Sequence, residues 1–212
     1  SLIYDIKYPL IKKTNTGTSF LTPRASIRFS PSGTYNLRDE KMILTYQDLF
    51  SINRINKKSI EDGSSATLGL EYDVKNEINN DKLKLGIGIN FRNKVDNDLP
   101  LSTSLGQKTS DLIGYSGINI TENLAINYNF SIDQNLSETN YSLISANYNA
   151  SKLNTRFEYM EKSKFVGDES YLNNYTQLKL DKSNSLAFET NRNIDKNLTN
   201  YFNLIYEYQN DC

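Results

Sequence analysis

Histidine is absent from this 212-residue chain, and cysteine is represented by one residue, Cys212. Without an imidazole, the chain lacks a Ser–His or Cys–His catalytic pair and every histidine ligand for a metal. A single cysteine also excludes a disulfide within the chain. We therefore expect no catalytic residue, no cofactor and no metal site, and interpret the chain as something other than an enzyme.

Long apolar runs and a strong net charge are missing as well. No apolar stretch approaches the roughly 20 residues of a membrane-spanning helix, and mean hydropathy is −0.60. Both facts are compatible with a transmembrane β-barrel, because its strands hide their apolar residues by alternation. The net charge of −1 gives no sign of a nucleic-acid partner. The chain starts without a methionine or a signal peptide, so we expect it to be a piece of a larger protein.

Alternation of apolar and polar residues is the dominant pattern, and it is clearest between Asp62 and Asp133. Side chains in a strand alternate between two faces. The segments are about ten residues long, which is the length that a tilted strand needs to cross a bilayer. In two of these segments the apolar face carries the candidates for lipid contact, which are Leu83, Leu85, Ile87, Ile89, Phe91, Leu124, Ile126, Tyr128 and Phe130.

Seven of the charged residues on the polar faces of the predicted strands are candidates for a site. They are Glu71, Asp73, Lys84, Arg92, Arg156, Glu158 and Glu189. We treat them as candidates for the wall of a water-filled lumen. The simpler interpretation of each is an ordinary solvated interior.

Connections between the predicted strands alternate in length. The short turns fall near Asn76, Glu122, Ser151 and Lys182, and the longer loops near Asp98, Asn135 and Phe165. Outer-membrane barrels have short periplasmic turns and longer external loops. We predict an all-β, antiparallel, up-and-down meander of about eleven strands over residues 1–212. It would form part of a large transmembrane outer-membrane β-barrel, without a linker or second domain.

The stretch Arg38–Ser64 breaks the alternation. We expect it to be irregular, with a short strand before it, and it could hold a short helix around Leu44–Asn53. Together with the loop Leu99–Thr109, the part from Tyr46 to Gly63 could fold into or over the lumen. The alternative is a pair of flexible external loops.

Other classes of protein also contain alternating strands. A soluble antiparallel sandwich, such as an adhesin, is one alternative, although strands of about ten residues are long for a sandwich. A general porin or another outer-membrane transporter is a second. A membrane-barrel enzyme is a third, and the absence of histidine argues against it.

Three blocks of the chain resemble the LptD family of outer-membrane lipopolysaccharide-assembly proteins, in the versions found in alphaproteobacteria. The blocks are Tyr8–Gly33, Asp48–Tyr72 and Leu99–Asp133. In the second block, the residues that match the family pattern are Asp48, Leu49, Phe50, Arg54, Glu61, Gly63 and Tyr72. The chain departs from that pattern at Asn56 and at Lys58–Ile60. The final LIYEYQNDC resembles a family segment in which a cysteine lies at the periplasmic end of a strand.

This resemblance implies a role in the cell outer membrane. Barrels of the family have about two dozen strands and insert lipopolysaccharide into the outer leaflet, through an opening between the first and last strands. The implied partners are lipopolysaccharide, a lipoprotein plug like LptE, and a periplasmic Lpt bridge that docks on a soluble domain outside this piece. The lateral gate would also lie outside it. Cys212 becomes a disulfide candidate whose partner lies elsewhere.

Overall fold

The computed structural model describes residues 2–31, 33–55, 61–78, 80–164 and 167–209. In these ranges the protein is all-β, with one antiparallel sheet of twelve strands and one short α-helix. Within the same ranges, no helix is long and apolar enough to cross a membrane.

The strands follow one another along the chain, separated by turns and loops. They are β1 Leu2–Lys7, β2 Leu10–Thr14, β3 Gly17–Ser30, β4 Gly63–Lys75, β5 Asp81–Arg92, β6 Leu112–Asn119, β7 Leu124–Ile132, β8 Thr139–Asn149, β9 Leu153–Lys162, β10 Glu169–Lys179, β11 Asn184–Asn193 and β12 Leu198–Tyr208. Helix α1 spans Tyr46–Phe50, and a 3₁₀ turn spans Ser104–Gly106.

From β3 to β12, each strand pairs with the next strand in the chain, so the predicted up-and-down meander is confirmed. Strands β1 and β2 lie end to end along the free edge of β3. Proline has no N–H to donate, so the ladder is interrupted at Pro9. The Tyr8 amide keeps the register by donating to the Pro23 carbonyl oxygen at 3.1 Å. The sheet is open between the β1–β2 edge and β12, which is consistent with a portion of a barrel.

The connections give the sheet two different rims. One rim holds the tight turns, such as the one after β10, where the Asp181 carboxylate accepts hydrogen bonds from the Ser183 and Asn184 amides at 2.8 and 2.9 Å. Such local side-chain bonds favour a turn over a continued strand. The opposite rim holds the two long connections, residues 31–62 and 93–111. We call these the short-turn rim and the long-loop rim.

The nine apolar candidates on β5 and β7 share the face of the sheet that points away from α1, which we call the outer face. Leu85, Ile87 and Phe91 are 36%, 42% and 40% exposed. A soluble sandwich needs a second sheet over these residues, and the described part of the chain forms none. Their contact with lipid stays a prediction.

The first long connection differs from expectation in one respect. The short helix predicted within Leu44–Asn53 is present as α1, but the short strand expected before this irregular stretch is not found in residues 33–45. Backbone groups there bind the second long connection instead. The Leu37 amide donates to the Asp98 carbonyl oxygen at 2.7 Å, and the Leu101 amide donates to the Arg38 carbonyl oxygen at 3.1 Å.

Candidate functional site: the inner face and its cover

The inner face of the sheet is the face on which α1 packs. Following the register from β4 to β11 places all seven predicted lumen residues on it. Four of them lie on β4 and β5, namely Glu71, Asp73, Lys84 and Arg92, and three lie on β9 and β11, namely Arg156, Glu158 and Glu189. Their shared face follows from the alternation of the strands. Their role as a lumen wall stays a prediction.

Residues 33–55, 61–62 and 93–111 lie against the long-loop end of this face, and we call them the inner cover. Helix α1 is its centre, and its start is set by a capping box. The Asp48 amide donates to Thr45 Oγ1, and the Thr45 amide donates to Asp48 Oδ2 at 2.9 Å. These bonds satisfy amides that the first turn of a helix leaves unpaired.

Glycines on the strands leave the space into which α1 fits. Gly69 on β4 lies directly opposite Gly88 on β5. A Cβ atom at Gly69 would lie 2.6 Å from Phe50 Cζ, and one at Gly88 would lie 2.9 Å from Leu49 Cδ1. Both are closer than atoms in van der Waals contact, so these two positions admit the helix because they lack a side chain.

An apolar core lies between the cover and the sheet. Its buried members are Leu44, Tyr46, Leu49, Phe50, Leu99, Leu105 and Ile113. The Tyr46 ring meets Tyr115 of β6 edge-on with 5.3 Å between centroids, and the Arg24 guanidinium lies 4.0 Å from the Phe50 centroid. The sequence left it open whether Tyr46–Gly63 and Leu99–Thr109 fold back over the sheet or form flexible external loops. In their described parts, both are folded onto the sheet.

The Tyr46 hydroxyl anchors the helix to the strand beneath it by donating to Glu71 Oε1 at 2.9 Å. Burial raises the pKa of Tyr46 above its ordinary value, and this hydrogen bond and the negative charge of Glu71 raise it further. The hydroxyl is therefore held in its neutral, donating form.

A buried ionic cluster joins the cover to the sheet. It consists of Arg28, Arg54, Arg92, Glu61 and Asp96. Arg54 Nε donates to Glu61 Oε2 at 2.6 Å, and the guanidinium groups of Arg54 and Arg92 both donate to Glu61 Oε1. Arg92 also contacts Asp96 Oδ2 at 3.3 Å. The three arginines and Glu61 are each at most 6% exposed.

Glu61 is the shared acceptor of this ionic cluster. Burial by itself would raise its pKa, but the hydrogen bond from Arg54 and the charges of Arg54, Arg92 and Arg28 lower the pKa below its ordinary value. Glu61 is therefore ionised. Because a buried charge without its partner is strongly unfavourable, the cluster holds three segments of chain in one arrangement.

Two of these arginines also donate to backbone carbonyl oxygens of residues that lie far from them in the sequence. Arg28 on β3 donates to the Ile52 carbonyl oxygen at 2.7 Å, just after α1. Arg92 at the end of β5 donates to the Asp62 carbonyl oxygen at 2.6 Å. Thr34 Oγ1 donates to Asp96 Oδ2 at 2.6 Å and so links the two long connections. The cover is thus a fixed part of the fold.

The other half of the inner face, on β9–β12, is uncovered by any segment that the structure describes. It carries a groove of about 430 Å³ lined by Arg156, Glu158, Asn173, Tyr175, Glu189, Asn191 and Tyr201, together with Asn174 and Thr190. Arg156 pairs with Glu158, and Asn191 donates to Asn173. Tyr175 and Tyr201 are 36% and 43% exposed.

Several predictions fall outside the described residues. Cys212, the disulfide candidate, is one, and the family departures at Asn56 and Lys58–Ile60 are others. Within the described ranges, no three His, Cys, Asp or Glu side chains come close enough to hold a metal ion.

Sequence reasoning singled out Arg92 but missed its contact with Glu61, the carboxylate that Arg28 and Arg54 also contact. Arg54 and Glu61 stood out only as matches to a family pattern. Alternation places Arg28 on a polar face. No local sequence pattern predicts its contact with Glu61, a loop residue far away in the chain. The start of α1 did carry a local signal, because Thr45 and Asp48 have the spacing of a capping box.

Comparison with known protein families gives one match. The family model described as "LptD: LPS transport system D" matches residues 3–198, which is most of the chain. Among curated proteins, none is significantly similar to the sequence.

Proposed function

Because the chain belongs to the LptD family, whose members serve lipopolysaccharide transport at the outer membrane, we propose that it forms part of a translocon. This translocon inserts lipopolysaccharide into the outer leaflet of the outer membrane. The observation that carries the proposal is the separation of a polar inner face from an apolar outer face along one continuous meander. The activity is transport and assembly, without bond chemistry.

The two faces suit an amphiphilic cargo. Saccharides need water or hydrogen-bonding partners, whereas acyl chains are favourable only away from water. A wall that is polar inside and apolar outside lets the sugars stay in the lumen while the lipid anchor stays in the bilayer. The step needs no chemistry from the wall, and the energy for it comes from elsewhere in the transport system.

The inner cover limits the part of the inner face along which cargo can pass. It fills the inner face of β3–β6 at the long-loop rim, which we assign to the cell exterior from the lengths of the connections. We infer that cargo passes along the uncovered β9–β12 half. The buried ionic cluster keeps the cover in place during passage, because its charges are stable only together.

The remaining parts of the translocon are proposed from the family. A lipoprotein like LptE would occupy the lumen, and a periplasmic bridge would deliver lipopolysaccharide through a soluble domain. Lipopolysaccharide would leave sideways between the first and last strands of the intact barrel. Cys212 would form a disulfide with a cysteine elsewhere in the protein, as expected for a thiol in the oxidising periplasm.

A general porin or another outer-membrane transporter is the alternative. A porin filters solutes with charged side chains that face open water in a constriction. In this protein the most concentrated charges, Arg28, Arg54, Arg92 and Glu61, are buried under the cover. That burial favours a structural role for them and the translocon over the porin.

Depletion of the intact protein in its native cell tests the proposal. We expect newly made lipopolysaccharide to stop reaching the cell surface, as measured by surface labelling after a metabolic pulse. Uptake of small hydrophilic solutes, measured in the same cells, serves as the control. Reduced solute uptake with normal surface lipopolysaccharide would contradict the translocon and support the porin.

A further inference from the structure

We propose that the groove on β9–β12 is a saccharide-binding subsite in which Tyr175 is the stacking platform. This inference rests on the proposed function, and it identifies which part of the cargo the inner face recognises. The groove faces the uncovered side of the sheet and has a volume of about 430 Å³, within the usual range for a small-ligand site of about 300–1,000 Å³.

The position of Tyr175 is set by the register of three strands. It lies opposite Arg156 of β9 and opposite Glu189 of β11. The ring is therefore flanked on both sides by long polar side chains, while 36% of the residue stays exposed. An exposed aromatic ring bordered by hydrogen-bonding groups suits a sugar, whose C–H face packs on the ring while its hydroxyls bind the neighbours.

The surrounding groups match hydroxyls. Glu158 and Glu189 offer carboxylate oxygens that accept from a hydroxyl, and the amides of Asn173 and Asn191 both donate and accept. Asn203 Nδ2 and the Tyr201 hydroxyl donate to Glu189 at 3.3 and 3.4 Å. These are long bonds at the groove edge, which a saccharide hydroxyl can replace.

Charge argues against a phosphate as the ligand. The groove contains one arginine, Arg156, and two glutamates, Glu158 and Glu189, so its lining charge is minus one. Arg156 is already paired with Glu158. Phosphate recognition favours clustered arginines with free donors, and the cluster of that kind in this protein lies buried under the inner cover. The groove therefore selects the sugars of the cargo over its phosphates.

A second tyrosine extends the platform. Tyr201 of β12 lies opposite Asn191 of β11 on the same face and is 43% exposed. Strands two positions apart are separated by about 9.5 Å, so the two rings can contact successive parts of one saccharide chain.

Binding of a lipid-free oligosaccharide to the intact protein in detergent micelles tests this subsite. The probe is the oligosaccharide released from lipopolysaccharide by mild acid, and affinity is measured by saturation-transfer NMR titration. We expect Tyr175→Ala to weaken binding by on the order of tenfold and Tyr175→Phe to retain it. Leu172→Ala, on the outer face of the same strand, is the matched control and should bind as the native protein does.

Tyr201→Ala serves as a second variant, in case Tyr175→Ala misfolds. The β-sheet signal in circular dichroism checks the folding of both variants. Unchanged affinity in well-folded Tyr175→Ala and Tyr201→Ala would overturn the subsite. Competition by inorganic phosphate would also overturn it, in favour of an anion site. A protein that delivers lipopolysaccharide to the surface but binds no oligosaccharide loses only the subsite. If depletion leaves surface lipopolysaccharide unchanged, the proposed function itself fails.

Discussion

The β3–β6 half and the β9–β12 half of the inner face follow the same alternation but have opposite surroundings. On β4 and β5 the inner positions beneath α1 are Gly69 and Gly88, and the helix fills the space above them. On β9–β11 the inner positions hold large polar residues such as Arg156 and Tyr175, and the described chain leaves them open. The two glycines therefore let this part of the wall receive α1, and the larger residues of β9–β11 fill that space with their own side chains.

The two halves also use charge differently. Glu61 in the covered half is buried and accepts from two arginines, whereas Arg156 in the open half keeps 55% of its side chain exposed while paired with Glu158. Buried charges depend strongly on their partners, and exposed pairs contribute at most about 1 kcal/mol. The same residue types thus hold the covered half together and contribute little to the stability of the open half.

Among the changes considered, removal of the Glu61 carboxylate should have the largest effect on the stability of the covered half. We expect Glu61→Ala to destabilise docking of the inner cover by about 3–5 kcal/mol, because three buried arginines lose their carboxylate. Amide hydrogen exchange of residues 44–55 in the intact protein measures this loss. Glu138→Ala, which breaks an exposed pair with Lys164 at the same rim, is the control and should change exchange little.

Acid should reproduce part of that loss reversibly. The pKa of Glu61 in the folded protein lies below its ordinary value of 4.5, so its stabilising charge is fully present above pH 4.5. The stabilisation is lost as pH falls from 4.5 through the lowered pKa. Exchange of residues 44–55, corrected for intrinsic rates, should accelerate in that window. The same acid-dependent step in Glu61→Gln would show that another group is responsible.

Filling the space beneath α1 should weaken the cover to a smaller extent. Gly69→Val would crowd Phe50 and Tyr46, and overpacking of this kind costs about 1–3 kcal/mol. The expected result is faster exchange in α1, with the open half unaffected. Gly33→Val is the control, since a Cβ atom at Gly33 meets nothing within 4 Å. Equal effects of the two variants would argue against glycine-dependent docking.

Loss of the helix cap should give the smallest effect. Thr45→Ala removes the side chain that accepts from the Asp48 amide, and an N-cap of this type contributes about 1 kcal/mol. Exchange at the first turn of α1 should rise while the ionic cluster stays protected. Gln47→Ala changes an exposed residue of the same helix and should leave exchange nearly unchanged.

The sequence alone was sufficient for the strands and their order. Alternation with a period of two fixes which residues share a face, and short turns impose antiparallel neighbours. The family blocks added the class of cargo. Alternation and turns are local features of the sequence, and the family resemblance rests on short segments.

Only the tertiary structure decided what happens on the inner face. The contact of Arg28 with Glu61, and the fit of Phe50 over Gly69, join residues far apart in the chain. Alternation assigns each of them to a face or a loop but says nothing about their meeting. Burial and charge pairing act between elements once the sheet has formed, and they divide a uniform polar wall into a covered half and an open one.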